Sequence, residues 1–257
     1  MSRFQSKNPL RTYGSKPLLS GLILLLSALH VTSSSAQTLP DFKSTYYVNA
    51  FGVDLGKAKH SFQCQQADCT LISYAKPSGL AALFFNDTST ETIKLKQTDK
   101  TLKWLSYHKL GISEKDGHKK EKHVTMKLDE PNNQIVYVEK NRVWPIQPNT
   151  FDLMSIAYAI QYFKLNNRSL ESIELHVQDN NFQEKLAFKS IDKVDSLTLE
   201  FSDKEFKAFQ YTLESKKSRI ELWLLPNHHY FPSKIRLINK QEDKTITLNL
   251  AELPKLL

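Results

Sequence analysis

The chain has 257 residues, a formal net charge of +8 and two cysteines. Four of its basic residues and none of its acidic ones lie within residues 1–36, so the remaining chain carries a formal charge of +4. This mild charge argues against nucleic-acid binding and leaves peripheral contact with anionic lipid head groups open.

Residues 1–36 have the three parts of a secretory signal peptide. A basic start precedes the apolar run 18–31, and small residues follow as far as Ala36. The 14-residue run is shorter than the roughly 20 residues that cross a bilayer, which favours cleavage after Ala36 over an uncleaved anchor. No cysteine lies directly after the apolar run, so we do not expect the protein to be a lipoprotein. We expect an exported, periplasmic protein with one β-rich domain over 37–257 and no transmembrane segment in the mature chain.

Cys64 and Cys69 are separated by four residues. In an oxidising compartment this spacing favours a disulfide across a hairpin turn. A metal site would need further ligands, and none lies close by in the sequence. A redox-active pair is disfavoured, because such pairs usually have two intervening residues and begin a helix.

Alternating apolar and polar residues predict strands along most of the chain after residue 40. Turns are expected near Gly56, at Asp116-Gly117 and at 131–133. The expected strands before the middle of the chain are 44–53, 57–64, 69–76, 91–98, 100–111, 124–130 and 133–140.

One segment, 149–165, has apolar residues at helical spacing. Thr150 or Asp152 is suited to cap its start. Strands are expected to resume at 172–178, 184–191, 196–201, 206–214, 218–225, 233–240 and 244–253. This order predicts a mainly β fold in which a large curved antiparallel sheet, a half-barrel or open barrel, wraps around one long helix.

The histidines do not form a recognisable site in the sequence. His228 and His229 lie between two prolines and are expected at a solvated turn. His118 and His123 lie in a lysine-rich stretch that is typical of a solvated hairpin tip. We therefore predict no metal site, although a metal or catalytic role for either pair stays open.

The motifs of the common nucleotide-binding, serine-hydrolase and zinc-protease sites are missing. No cofactor and no catalytic residue is predicted, and a non-enzymatic role is favoured. A hydrolase or isomerase whose site is assembled only by the fold remains an alternative.

Several segments resemble an exported bacterial family catalogued as domain of unknown function 3108. They are the strand pair 46–62, the segment around Tyr107, the helical segment with Asp152 and Ser155, and the ending that contains Trp223 and 231–236. The resemblance covers roughly residues 44–253, although Leu105 stands near the position where the family tends to have a proline. The family's strand-rich plan is similar to the half-barrels that carry lipoproteins in the bacterial envelope, in which a sheet around a helix leaves an apolar cavity.

The apolar stretch 79–85 either fills the core or lines the mouth of such a cavity. The expected partner is a lipid, an acyl chain or a lipoprotein. The alternative is an envelope scaffold with a filled core and an exposed strand edge or apolar patch. The predicted ligand-binding residues are Leu80, Leu83, Phe84, Phe85, Met154 and Tyr158.

Overall fold

The structure, a computed structural model, describes residues 37–50, 52–78, 82, 87–115 and 118–257. The first half of the chain forms a meander of eight antiparallel strands. These are β1 (Phe42–Ala50), β2 (Val53–Gln65), β3 (Asp68–Pro77), β4 (Thr88–Gln97), β5 (Leu102–Lys115), β6 (His118–Asp129), β7 (Gln134–Tyr137) and β8 (Arg142–Pro145).

The second half contains a short strand, a helix and a second meander. Its elements are β9 (Thr150–Asp152), α1 (Ser155–Leu165), β10 (Leu175–Gln178), β11 (Gln183–Thr198), β12 (Glu205–Glu214), β13 (Ser218–Leu225), β14 (Phe231–Asn239), β15 (Lys244–Leu250) and β16 (Lys255–Leu256).

Pairing of β1 with β15 joins the two meanders into one curved sheet. Among the strands that the structure describes, pairing does not close the sheet, which ends in β8 on one side and β9 on the other. We call the gap between these two ends the seam. Side chains bridge it: Gln183 Nε2 donates to the carbonyl oxygen of Pro145 at 3.1 Å, and Arg142 donates to that of Asn181 at 3.3 Å. The expectation of an open curved barrel around a helix is confirmed.

Strand alternation places the core inside this barrel. In β4, for example, Ile93 and Leu95 are buried while Lys94 and Lys96 are exposed. This is the period-2 pattern of a sheet with one face packed and one face in water.

Within the described residues there is one α-helix, and the sheet surrounds it. Ten of the eleven residues of α1 are buried, with Lys164 as the exception. The helix begins at Ser155, later than the predicted 149, because Thr150–Asp152 pairs in parallel with β10. The apolar spacing of the segment did not reveal this short strand. Within the described residues, no helix has both the length and the apolarity to cross a bilayer.

Other differences concern strand limits. β1 ends at Ala50 and β2 begins at Val53, so Gly56 is inside β2 and not in a turn. Residues 183–198 form one long strand with register shifts, where two strands were expected. Residues 118–123 are exposed, as expected, but they form the start of β6, paired with β5, while the expected turn at Asp116-Gly117 lies outside the described residues.

The strand β13 buries both of its faces. Ile220, Leu222 and Leu224, which alternate along the strand, point into the main core. On the outer face, Trp223 and Leu225 pack with Leu199, Ala208 and nearby aromatic residues in a second apolar cluster. The outer face of β13 is therefore covered by other side chains and not by water alone.

The turn after β13 lies at the predicted position, and its backbone has a regular conformation. Residues Pro226–His228 make a 3-10 turn, and His229 adopts a left-handed backbone with φ of 54°. His229 is exposed, whereas His228 is half-buried with its ring 6.2 Å from that of Phe206. The prediction that both side chains lie in solvent holds for His229 alone.

Cys64 and Cys69 lie directly opposite each other in the β2–β3 hairpin and form a disulfide. The bond joins neighbouring strands and closes a small loop, for which chain-entropy arithmetic gives about 2 kcal/mol.

Gly56 tests the close approach of β2 to the end of β3. Its φ is +128°, and a β-carbon there would lie 2.6 Å from the carbonyl oxygen of Lys76. We predict that Gly56→Ala lowers the free energy of unfolding by at least about 2 kcal/mol, because backbone strain and a backbone clash add. Chemical denaturation provides the measurement.

Gly111→Ala is the matched control, because a β-carbon at Gly111 would have its nearest neighbour at 3.8 Å. It should change stability by less than about 0.5 kcal/mol. Equal, small effects of the two substitutions would contradict the described geometry at Gly56.

Candidate ligand-binding cavity

A cavity of about 430 Å³ lies inside the barrel beside the start of α1. Its wall comes from both meanders, from the β9–α1 connection at Asp152–Met154 and from the β10–β11 connection at 178–180. The cavity therefore adjoins the seam. Strand β7 pairs only with Met126–Asp129 and does not reach the wall residues Lys122 and Val124. Beside these two residues, β6 is therefore the edge strand of the sheet.

Most of the wall is apolar. Apolar inward-facing residues of β1, β2, β3, β6, β14 and β15 contribute, and they continue the barrel's core without filling this space. The principal apolar residues are Val48, Ala58, Val124, Met126, Leu237 and Leu248. Such a wall favours a ligand with a substantial hydrocarbon part.

One side of the cavity carries charged groups. The Lys109 ammonium lies 3.0 Å from the Glu91 carboxylate, and the two residues are direct partners across β4 and β5. Tyr107 lies two residues before Lys109, on the same inner face of β5. Burial, together with the negative charges of Glu91 and Asp152, raises the pKa of the Tyr107 hydroxyl, which is therefore a protonated donor at neutral pH.

Two further polar groups belong to this side. Burial raises the pKa of Asp179, although hydrogen bonds from the backbone amides of Asn181 and Asn180 oppose this effect. The hydroxyl oxygen of Ser89 is buried and has no hydrogen-bond partner among the described residues. A buried polar atom of this kind usually finds a partner in water or a ligand.

Asp152 fixes the entrance of the helix. Its Oδ1 accepts hydrogen bonds from the backbone amides of Met154 and Ser155 at 2.8 and 2.9 Å. Its Oδ2 accepts from the Ser155 hydroxyl at 2.6 Å and from Trp104 Nε1 at 2.9 Å. Burial raises the pKa of Asp152, and the bonds from Ser155 and Met154 act in the opposite direction. Asp152 is not the N-cap residue itself, which is Met154, but its carboxylate accepts a hydrogen bond from the amide of the first helical residue and ties the helix to β5.

The predicted ligand-binding residues fall into three groups. Met154 lies in the wall of the cavity. Tyr158 is fully buried in the core, where its ring stacks on Phe42 with 5.2 Å between centroids, and it does not line this cavity. The remaining four, Leu80, Leu83, Phe84 and Phe85, lie outside the described residues.

A smaller cavity of about 300 Å³ lies at Trp104, Ile135 and the β8–β9 connection. It is lined on one side by residues 146–151, which link the two ends of the sheet. In the part of the chain that the structure describes, no three His, Cys, Asp or Glu side chains converge to hold a metal.

His60 is a buried polar group that the sequence did not mark. It faces the interior from β2, and its Nδ1 lies 2.7 Å from the Tyr158 hydroxyl. Its Nε2 has no partner among the described residues. Burial lowers the pKa of His60 from 6.5 to about 3, so the imidazole is neutral in the folded protein at neutral pH.

This gives a pH dependence of stability. Below pH 6.5 the unfolded chain binds a proton at His60, whereas the folded chain stays unprotonated there until the pH approaches 3. The free energy of unfolding therefore decreases as the pH falls from 6.5 toward 3. Between pH 7.5 and pH 5 we predict a loss of about 2 kcal/mol from this group. The measurement is chemical denaturation at both pH values.

His60→Asn, which does not titrate, should lose about 2 kcal/mol less than the wild type over this range, whatever its absolute stability. His229→Asn, at an exposed site, should keep the wild-type dependence. If His60→Asn also keeps it, His60 is not buried in the neutral form.

Comparison with known proteins agrees with the fold. The chain superimposes on a β-barrel-like protein of domain of unknown function DUF1849 from Brucella abortus with a TM-score of 0.50 and 10% identity, covering 85% of this chain and 98% of that chain. At this identity the likeness shows the fold alone. A putative outer membrane lipoprotein-sorting protein domain from Vibrio parahaemolyticus matches with a TM-score of 0.20 and 10% identity over 86% of this chain and 87% of that chain, which is too low to support an argument.

No functionally curated protein matches the chain significantly. A family model, described as "Protein of unknown function (DUF3108)", matches residues 41–248, which is most of the chain. The resemblance noted in the strand pairs, the helix and the ending is thereby confirmed, and the protein belongs to the DUF3108 family.

Proposed function

We propose that the protein binds a lipophilic ligand, or the acyl chain of a lipidated partner, in the cavity beside the start of α1. The observation that carries the proposal is an interior space of about 430 Å³ with a mainly apolar wall. Small-molecule sites typically measure roughly 300–1,000 Å³ and combine such walls with a few polar groups.

The polar side of the cavity suits a ligand with a polar end. The Glu91–Lys109 pair and the Tyr107 hydroxyl offer both donors and acceptors. The unpartnered oxygen of Ser89 lies in the same wall. An amphiphile could place its chain against Val48, Leu237 and Leu248 and its polar end toward these groups.

The position beside the seam supports access. Several wall residues, including Leu153 and Met154, are half-buried and not sealed in the core. On the side of β6 that faces away from β5, no strand among the described residues pairs with Lys122 and Val124, so a ligand can enter there without breaking a strand ladder. The competing idea, a scaffold with a filled interior, does not explain this space.

We also propose that this binding takes place after export. The leader features of residues 1–36 support export, and a disulfide between Cys64 and Cys69 suits an oxidising compartment such as the periplasm.

A substitution that fills the cavity tests the proposal. Ala75 faces the cavity from β3, and its neighbour Lys76 is exposed on the opposite face of the same strand. Delipidated protein is titrated with dansyl-labelled undecanoic acid, and fluorescence gives the dissociation constant. We predict that the wild type binds the probe and that Ala75→Trp weakens binding at least tenfold, because an indole occupies the ligand's space.

Lys76→Trp adds the same side chain outside the barrel and should bind like the wild type. Circular dichroism and unfolding midpoints establish that both variants fold. The proposal fails if the wild type does not bind the probe, or if a folded Ala75→Trp variant binds as tightly as Lys76→Trp. If the wild type binds the probe and Ala75→Trp does not, mass spectrometry of an organic extract of the purified protein identifies the natural ligand.

A further inference from the structure

The outer face of the β5–β6 hairpin brings two histidines together that are 15 residues apart in the sequence. Tyr107 and Lys109 face the cavity, so His108 between them faces outward. The register pairs His123 with Leu110, which places its imidazole diagonally beside that of His108. His108 Nε2 lies 3.3 Å from His123 Nδ1.

The second nitrogen of His123 also has a defined neighbour. Its Nε2 lies 3.3 Å from a carboxylate oxygen of Glu121, two residues earlier on the same strand. A carboxylate in this position favours the tautomer with the proton on Nε2, which leaves the lone pair of Nδ1 directed at His108. Histidines that bind metals commonly donate their other ring N–H to a carboxylate in the same way.

We propose that His108 Nε2 and His123 Nδ1 form a two-histidine site for a divalent transition metal, Zn²⁺ or Cu²⁺. Two nitrogens bound at about 2.0–2.1 Å to one tetrahedral ion are about 3.3 Å apart, which is the spacing seen here. Neutral imidazole is a preferred ligand of both ions, and Cu²⁺ binds the tighter of the two. In the metal-free protein the same distance allows His108 Nε2–H to donate a hydrogen bond to His123 Nδ1. On metal binding, His108 takes the tautomer with its proton on Nδ1, and the lone pair of Nε2 binds the ion.

Water completes the coordination of this site. No three suitable side chains converge among the described residues, and the nearby Glu139 carboxylate is engaged by Thr125, which donates to it from its backbone amide at 2.8 Å and from its hydroxyl. The site lies on the outer face and is independent of the cavity inside the barrel.

Copper titration of the purified protein tests the site. Binding of Cu²⁺ is followed by isothermal titration and by electron paramagnetic resonance, in which two bound nitrogens give a characteristic splitting; Zn²⁺ is the competitor. We expect one ion per chain, removed by Zn²⁺ in excess. His108→Ala and His123→Ala should each weaken binding at least tenfold, and Glu121→Gln, which lacks the carboxylate's charge, about tenfold.

His118→Ala, on the same strand, and the double variant His228→Ala/His229→Ala are the controls and should bind Cu²⁺ like the wild type. Loss of binding in the double variant, with retention in His123→Ala, would overturn the assignment in favour of the turn after β13. Absence of a two-nitrogen signal in the wild type would show that the pair is a hydrogen-bonded contact and no metal site.

Discussion

Helix α1 is enclosed by the sheet, and its polar side chains must therefore find their hydrogen-bond partners on the inside of the barrel. A buried helix must satisfy its polar side chains inside the protein, since unpaired polar groups in the interior cost about 1–3 kcal/mol each. Three of them bond to separate parts of the sheet. Tyr158 contacts His60, Gln161 donates to the carbonyl oxygen of His229, and Tyr162 donates to that of Thr98. These bonds fix the helix relative to β2, the turn after β13 and the β4–β5 connection.

The length of this helix explains the cavity. Eleven residues of α-helix extend about 16 Å. A 14-residue strand such as β5 extends about 46 Å, and still about 35 Å along a barrel when tilted by about 40°. The helix therefore fills part of the interior, and its start at Ser155 marks where the filled part ends. The cavity lies beyond this point, with Asp152 and Met154 in its wall.

Much of the fold was predictable because alternation is a local signal. The inward residues Ile93, Leu95, Leu222 and Leu224 are recognisable from their own strands, and most strand limits agree within a few residues. The strand β9 was missed because three residues that precede a helix share its apolar pattern, and their pairing with β10 depends on the tertiary structure. The short β8 gave too little alternation to be recognised.

The site was less predictable than the fold. Met154 was singled out from the helical segment, but the charged pair Glu91–Lys109 becomes visible only once β4 and β5 are aligned. The same holds for His108 and His123: the sequence drew attention to His118 and His123, and the register of β5 with β6 pairs His123 with another neighbour. Long-range register is the information that a single sequence lacks.

Methionine methyl groups report directly on whether the space left by α1 receives a ligand. The chain has three methionines, Met1, Met126 and Met154, and the latter two line the cavity. In protein labelled with ¹³C at the methionine methyl groups, titration with an unlabelled fatty acid such as palmitate should shift the signals of Met126 and Met154 together and with one dissociation constant. Saturable binding of palmitate that leaves both signals unchanged would place the ligand elsewhere and contradict the account.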